Sequence, residues 1–303
     1  MPRQISFEVD GRAVIVGDDG ASLLEALRDR LGRRAPKDGC SPQGQCGCCT
    51  VLIDGAPRVA CVTPVARVAG RRVTTADGLA DDERRCWSDA FVATGASQCG
   101  FCTPGIVVRL SALAARGTRA DDVPAVERAL AAHLCRCTGW RTIVEAWNRA
   151  HGDGQPGPLE RPEEATSGNV GTSRHRGAGR DQEAAAVRAA LEGGVAQAVG
   201  AEVALGGGGF ADDLAPLDAL VAVPHATRPG EWALGETLAE ARAEAGKVQG
   251  RRSTTDLRHP LEVPEGDWDL RLRTTWVEPA YLETDASWCV PGGEPASPLA
   301  NGG

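Results

Sequence analysis

Thiols dominate the chemistry this sequence offers. Cys99 and Cys102 stand as C-x2-C in Gln98-Cys99-Gly100-Phe101-Cys102-Thr103-Pro104-Gly105, and Cys135 and Cys137 as C-x-C in Leu134-Cys135-Arg136-Cys137-Thr138-Gly139-Trp140-Arg141, with 32 residues between the pairs. A second loop, Gly39 to Gly55, carries Cys40, Cys46, Cys48 and Cys49, and Cys61 follows after eleven more residues. Four thiolates at a time can hold a metal ion or an iron–sulfur cluster. No acid, base or nucleophile constellation accompanies them, so no catalytic residue is assigned.

Each of the first two pairs precedes a readable helix start. Thr103 is a candidate N-cap with Pro104 at the first helical position, and Ile106, Val107, Leu110, Leu113 and Ala114 follow at helical spacing. Thr138 is the second candidate cap, ahead of Ile143, Val144 and Trp147. Helix N-termini present free N–H groups and a positive dipole end, both favourable to an anionic centre. A helix over 82–94 is predicted with Cys86, Trp87, Ala90 and Phe91 inward, which makes Cys86 a core thiol rather than a ligand. A further helix starts near Asp122 with Val123, Val126 and Leu130. His133 reads as a helix-surface residue. Together these helices form a small bundle around the two pairs.

The preceding stretch reads as β-structure. Ile5, Phe7 and Val9 alternate, Asp10-Gly11 is a hairpin turn, and Ala13 to Val16 return. Ser22 caps a helix carrying Leu23, Leu24, Leu27 and Leu31, ended by Gly32. A hairpin followed by a helix is how a β-grasp domain begins. The Gly- and Cys-rich loop then feeds a strand at Thr50–Ile53, and its glycines let backbone amides turn toward sulfur. Plant-type ferredoxins space their ligands C-x4-C-x2-C with a distant fourth. Cys40, Cys46 and Cys49 read C-x5-C-x2-C, one residue longer in the first gap, with Cys48 a surplus, small packed residue. Zinc is the alternative occupant, although zinc knuckles are usually tighter.

Composition bounds the rest. Residues 1–150 carry 20 basic and 17 acidic side chains and residues 151–303 carry 13 and 24, without a basic stripe, which gives nucleic-acid binding no support. The absence of a charged-then-apolar leader at Met1 and of any long apolar run predicts a cytoplasmic protein with no membrane partner. Ten of the eleven cysteines precede residue 138, and a secreted disulfide framework would need an export signal and usually a shorter chain, so thiolate ligands are the better reading.

In these motifs the sequence closely resembles the iron–sulfur subunit, or N-terminal iron–sulfur region, of the molybdenum hydroxylase family, to which xanthine dehydrogenases, aldehyde oxidoreductases and aerobic carbon monoxide dehydrogenases belong. The resemblance rests on Gly39-Cys40, Gln45-Cys46-Gly47-Cys48-Cys49-Thr50-Val51, Cys61, the Gln98–Gly105 stretch and Cys135-Arg136-Cys137-Thr138-Gly139. It implies an α+β chain: a β-grasp plant-type ferredoxin domain over 1–79 and a four-helix-bundle domain over 80–150, each with one [2Fe–2S] cluster. By that resemblance Cys40, Cys46, Cys49 and Cys61 ligate the outer cluster, and Cys99, Cys102, Cys135 and Cys137 the inner one. Gln98 matches the glutamine that contacts the pterin, and Cys137 lies on the same cofactor-facing side. The molybdopterin cofactor is then expected on a molybdenum-binding large subunit and FAD on a medium subunit. The departures from the family pattern are the longer Cys40–Cys46 gap and Cys48, where a small residue such as Ala is usual.

After residue 150 the sequence changes character. Seven glycines and three prolines fall among residues 151–179, so 151–180 reads as a flexible linker, followed by an Ala-rich helix from about Asp181 to Val199. Residues 181–303 form an acidic, irregular α/β extension. Phe210-Ala211-Asp212-Asp213-Leu214 and Trp276 to Ala286 resemble pieces of the family's large subunit near its start, truncated or compressed. Gly206 to Gly209 lacks the G-x-G-x-x-G frame of a nucleotide loop. The function implied is electron transfer from a partner's molybdopterin through two [2Fe–2S] clusters, the outer one being the more exposed, to a flavin or other acceptor. A free-standing ferredoxin-like carrier and a zinc-stabilised scaffold with an acidic partner-binding tail are the rival readings.

Overall fold

A computed structural model of the chain describes residues 3–40, 43–151 and 200–246, together with the single residues 187, 190 and 191. Predicted features at 152–186, at Trp276–Ala286 and at Cys289 lie outside the described residues, as does nearly all of the Ala-rich helix. Within them the chain is mixed α/β, a sheet accompanied by several helices.

The hairpin forms as its sequence dictates. β1 (Arg3–Val9) and β2 (Arg12–Asp18) pair antiparallel with Phe7 opposite Val14 and Ile5 opposite Val16. Asp10 and Gly11 take φ of 50° and 76°, the left-handed pair that lets a two-residue turn match the strand twist. β3 (Thr50–Ile53) and β4 (Ala56–Val59) make a second antiparallel pair, and β5 (Arg72–Thr74) runs parallel to β1 and antiparallel to β3. The sheet order is therefore β2-β1-β5-β3-β4. Ser22 caps α1 (Leu23–Glu25), its Oγ accepting from Glu25 N at 3.1 Å, and the helix continues as a wider turn over Ala26–Arg30. Leu23 and Leu27 join Ile5, Phe7, Val9, Val51, Ile53 and Val73 in one buried core.

Four longer helices build a second core. α2 (Asp81–Thr94), α3 (Thr103–Ala114), α4 (Val123–Leu130) and α5 (Trp140–His151) bury Trp87, Phe91, Ile106, Leu110, Val126, Leu130, Ile143 and Trp147. The α3 helix is apolar nearly all round because it is central, touching α4 as well as β3 and β4. Trp87 stacks on Trp147 with centroids 6.0 Å apart, and Trp147 Nε1 donates to the Ala120 carbonyl at 3.0 Å. Asp122 caps α4 by accepting from Ala125 N.

Three expectations are corrected. Cys86 is exposed rather than a core thiol, its Sγ 3.5 Å from the Ala150 carbonyl oxygen. The inward stripe of α2 is centred on Trp87 and Phe91, and about 100° per residue carries position 86 outside it. His133 is buried, not a helix-surface residue, because it lies past the end of α4 and turns under the cysteine loop. Thr103 does not cap α3. The helix starts one residue sooner, with Cys102 as the N-cap residue and Thr103 Oγ1 donating to Ser97 Oγ at 3.2 Å.

Beyond residue 200, α6 (Ala201–Ala204) and α7 (Ala211–Leu214) are single turns. β6 (Val221–Pro224) and β7 (Trp232–Gly235) pair antiparallel and bury Val223 and Ala233 against Ala241 and Ala245 of α8 (Leu238–Ala245). No helix among the described residues is long and apolar enough to cross a membrane.

Candidate iron–sulfur sites

The cysteine loop, described at 39–40 and 43–49, lies on the seam between the two cores. Cys40 packs against both, Cys46 and Cys48 belong to the helical core, and Cys49 and Cys61 to the sheet core. Gly47 at φ 72° lets the loop pass under His133, since a Cβ there would lie 2.4 Å from the imidazole Cδ2. His133 Nε2 meets Thr50 Oγ1 at 3.0 Å, and Thr50 donates to the Gly47 carbonyl at 2.7 Å. Burial, and then the Arg109 guanidinium, push the His133 imidazole down to about 4, so it stays neutral in this position.

Around that seam the predicted thiols come together. Cys40 touches both Cys46 and Cys61, and Cys61 touches Cys49. Cys99 and Cys137 bring their Sγ atoms to 3.4 Å, and Cys102 contacts Cys135. The contacts divide protons unequally. Cys102 bonds to Cys135 and drives its thiol down to about 5, while Cys99 drives Cys137 down to about 6. Cys99 and Cys102 are pushed up in turn, first by those contacts and then by burial. In the other set Cys40 and Cys49 go down and Cys46 and Cys61 go up for the same reason.

These residues suit an iron–sulfur cluster, whose ligands are thiolates. All donors are thiols: Cys46, Cys40, Cys61 and Cys49 touch in succession in one set, and Cys99–Cys137 and Cys102–Cys135 in the other. Backbone amides also point at sulfur: Gln43 N at Cys40 (3.4 Å), Cys61 N at Cys49 (3.5 Å) and Thr138 N at Cys135 (3.4 Å). Such N–H···S bonds favour an anionic cluster. Thr138 is thereby explained: it is not the cap of α5 but a partner of Cys135, with Oγ1 3.2 Å from the sulfur. Cys48 is fully buried, with Sγ 3.8 Å from the Cys46 carbonyl oxygen and in contact with the Cys46 thiol as well. Gln98 is half-buried beside Cys99.

The expected difference in exposure is reversed. Cys99 and Cys137 are exposed, whereas Cys46, Cys49 and Cys61 are buried and Cys40 is intermediate. In the set of Cys99 and Cys137, Cys102 is buried and Cys135 intermediate, while the other set is closed in between two cores.

Comparison with known proteins agrees with this chemistry. Residues 75–148 match the [2Fe-2S] binding domain family. A nicotinate dehydrogenase subunit of Pseudomonas putida is 38% identical over 152 residues, which span 50% of this chain and 96% of that protein. The nicotine 6-hydroxylase small subunit of Paenarthrobacter nicotinovorans is 38% identical over 144 residues, 47% of this chain and 86% of its own. This chain belongs to the iron–sulfur subunits of the molybdenum hydroxylase family. Among solved structures, quinoline 2-oxidoreductase from Pseudomonas putida 86 aligns at 35% identity over 49% of this iron–sulfur chain and 93% of its own, with a TM-score of 0.44. An iron–sulfur subunit of this family is the electron-transfer component of an oxidoreductase complex, and the match covers about half of the present one.

Residues that sequence reasoning missed surround the sites. Leu134 N donates to the Cys46 carbonyl at 2.9 Å, tying the two cysteine sets together. Arg28 and Lys37 are buried beside the first loop, and Lys37 N donates to the Cys48 carbonyl at 3.1 Å. Lys37 is one of only two lysines in the chain and stands three residues before Cys40, which is a faint sequence signal.

Proposed function

We propose that this chain relays electrons from a molybdopterin centre on a partner large subunit to a flavin, or another acceptor, on a further subunit. Residues 1–79 are read as the β-grasp domain, 80–150 as the helical one and 181–303 as a partial large-subunit start joined by the 151–180 linker. Cys40, Cys46, Cys49 and Cys61 would hold one [2Fe–2S] cluster, and Cys99, Cys102, Cys135 and Cys137 the other. When bound, each cluster takes up and gives back one electron at a time.

The observation that carries this reading is the Leu134 N–H to Cys46 carbonyl bond of 2.9 Å. It leaves only backbone between Cys46 in one thiol set and Cys135 in the other. His133 braces the same junction through Thr50, so the two sets are held at a fixed separation. The chain's own work is thus positional: it fixes the sulfurs, aims amides at them and excludes water from the first set. Exposure of Cys99 and Cys137 supports that end as the one facing the molybdopterin, with Gln98 and Cys137 nearest to it. Whether a complex exists is tested by purifying the chain from its own cells and assaying molybdenum and FAD. Both should accompany it through successive columns. Recovery of iron-loaded chain with neither would favour the free-standing carrier instead.

A further inference from the structure

The face beside the first cysteine loop is basic and occupied. Arg28 Nη2 binds Asp212 Oδ2 and reaches Asp213 Oδ1 at 2.9 Å. Lys37 Nζ donates to Asp213 Oδ2 at 2.5 Å, to the Gly206 carbonyl at 2.9 Å and to the Arg34 carbonyl at 2.7 Å. All three of its N–H donors are therefore used, and two of the acceptors come from beyond residue 200. Burial alone would depress the Arg28 guanidinium, but Asp212 and then Asp213 hold it above its ordinary value. Lys37 is left below its own, because burial outweighs the Asp213 carboxylate.

Apolar and backbone contacts extend the same seat. Phe210 meets Phe101 edge-on with centroids 5.1 Å apart, and Lys37 Nζ lies 5.8 Å from the Phe210 ring centre. A Cβ at Gly100 would lie 2.3 Å from the Val203 carbonyl oxygen, and one at Gly208 would lie 2.8 Å from that of Cys99. The segment thus rests on the Cys99–Phe101 turn itself. The match to the nicotinate dehydrogenase relative from Pseudomonas putida spans 96% of that protein and 50% of this chain.

We infer that the Arg28–Lys37–Phe101 face is a docking surface for an acidic, Phe-led segment, which this chain supplies in cis from residues 200–217. The segment is a docking element in its own right: its charges and ring, not the covalent linker, hold it against the turn that carries Cys99 and Cys102. Only the meaning of that placement rests on the electron-relay reading, since the segment would then hold whatever follows it against the molybdopterin-facing thiols. The chemistry recognised is specific: a phenylalanine, one spacer residue, then two adjacent carboxylates placed for a guanidinium and an ammonium.

The test uses the full, iron-loaded chain with a protease site inserted after Gly168. After cutting, the piece containing residues 200–303 is expected to co-elute with the cysteine half at low salt. Asp212→Asn combined with Asp213→Asn should weaken retention by about tenfold or more, as should raising the salt. In the uncut double variant, hydrogen exchange across residues 99–105 should speed up, a readout that survives if the cut piece precipitates. Separation of two folded halves at low salt, or retention and exchange unchanged in the double variant, overturns the inference. A dimer that holds together only by exchanging this segment between copies overturns the cis assignment. Electron paramagnetic resonance on the same sample keeps the two readings apart: loss of both cluster signals would defeat the relay while leaving the docking result standing.

Discussion

Gly105→Ala sets two effects of opposite sign against each other. Gly105 lies in the first turn of α3 with an ordinary helical φ, so alanine incurs no backbone strain there. Propensity alone favours alanine over glycine in a helix by ~1 kcal/mol. A Cβ at this position would, however, lie 2.3 Å from the Gly47 carbonyl oxygen and 2.9 Å from that of Cys48. A carbon–oxygen contact needs about 3.3 Å, so the cysteine loop must retreat by roughly 1 Å. Overpacking of this kind costs ~1–3 kcal/mol, and the neighbour here is backbone rather than a pliant side chain. The Gly47 carbonyl also accepts from Thr50 N and Oγ1, at 3.1 and 2.7 Å, so moving it disturbs the Thr50–His133 brace as well. The net expectation is a loss of about 1–2 kcal/mol, or a melting temperature lower by roughly 2–8 °C for a unit of about 150 residues. Thermal unfolding of the cluster-loaded chain, followed by far-UV circular dichroism and by visible absorbance, measures it. Gly55→Ala is the control: φ is 77° with nothing within 4 Å, so it reports backbone strain alone. A Gly105→Ala protein that melts at or above the parent, with an unaltered visible spectrum, would refute the close packing of loop on helix.

Other substitutions probe the cores and the ligand sets. Trp147→Ala removes a fully buried ring that stacks on Trp87, and denaturant titration should show a loss of ~3–5 kcal/mol. Asp122→Ala deletes the cap of α4 and should cost ~1 kcal/mol by the same titration. Cys102→Ser should abolish one paramagnetic signal of the reduced protein and keep the other, because Cys102 touches only the second thiol set among the proposed ligands. Cys48→Ala should keep both, whereas Cys49→Ser should weaken the first; the reverse outcome would exchange the roles of these neighbours. That assignment rests on Cys49 touching Cys61, whereas Cys48 meets the carbonyl and the thiol of Cys46.

Local chemistry made much of this legible in the sequence. Alternation in Ile5, Phe7 and Val9 and the Asp10-Gly11 turn specify the hairpin, and Ser22 and Asp122 act as the caps their types suggest. The two thiol motifs were visible, but spacing within each does not say that Cys99 meets Cys137 and Cys102 meets Cys135. What stayed hidden depends on packing between distant segments. Thr103 and Thr138 have the right type for caps, yet sulfur and Ser97 compete for their hydroxyls. His133 looked like a surface residue because nothing local reveals that Gly47 opens a space beneath it. The Asp212-Asp213 pair was visible, but its partners lie 184 and 176 residues away at Arg28 and Lys37, beyond the reach of any periodic pattern. Exposure was misjudged for a related reason: which thiol set is closed in depends on how the two cores meet, not on either motif.

The central claim is that the eight thiols hold two [2Fe–2S] clusters for electron transfer. Iron analysis with electron paramagnetic resonance of the dithionite-reduced full chain tests it most directly. The expected result is about four iron per chain and two distinguishable signals, one of them removed by Cys102→Ser. A colourless chain loaded with zinc, or one that takes up iron but gives no signal on reduction, would contradict it.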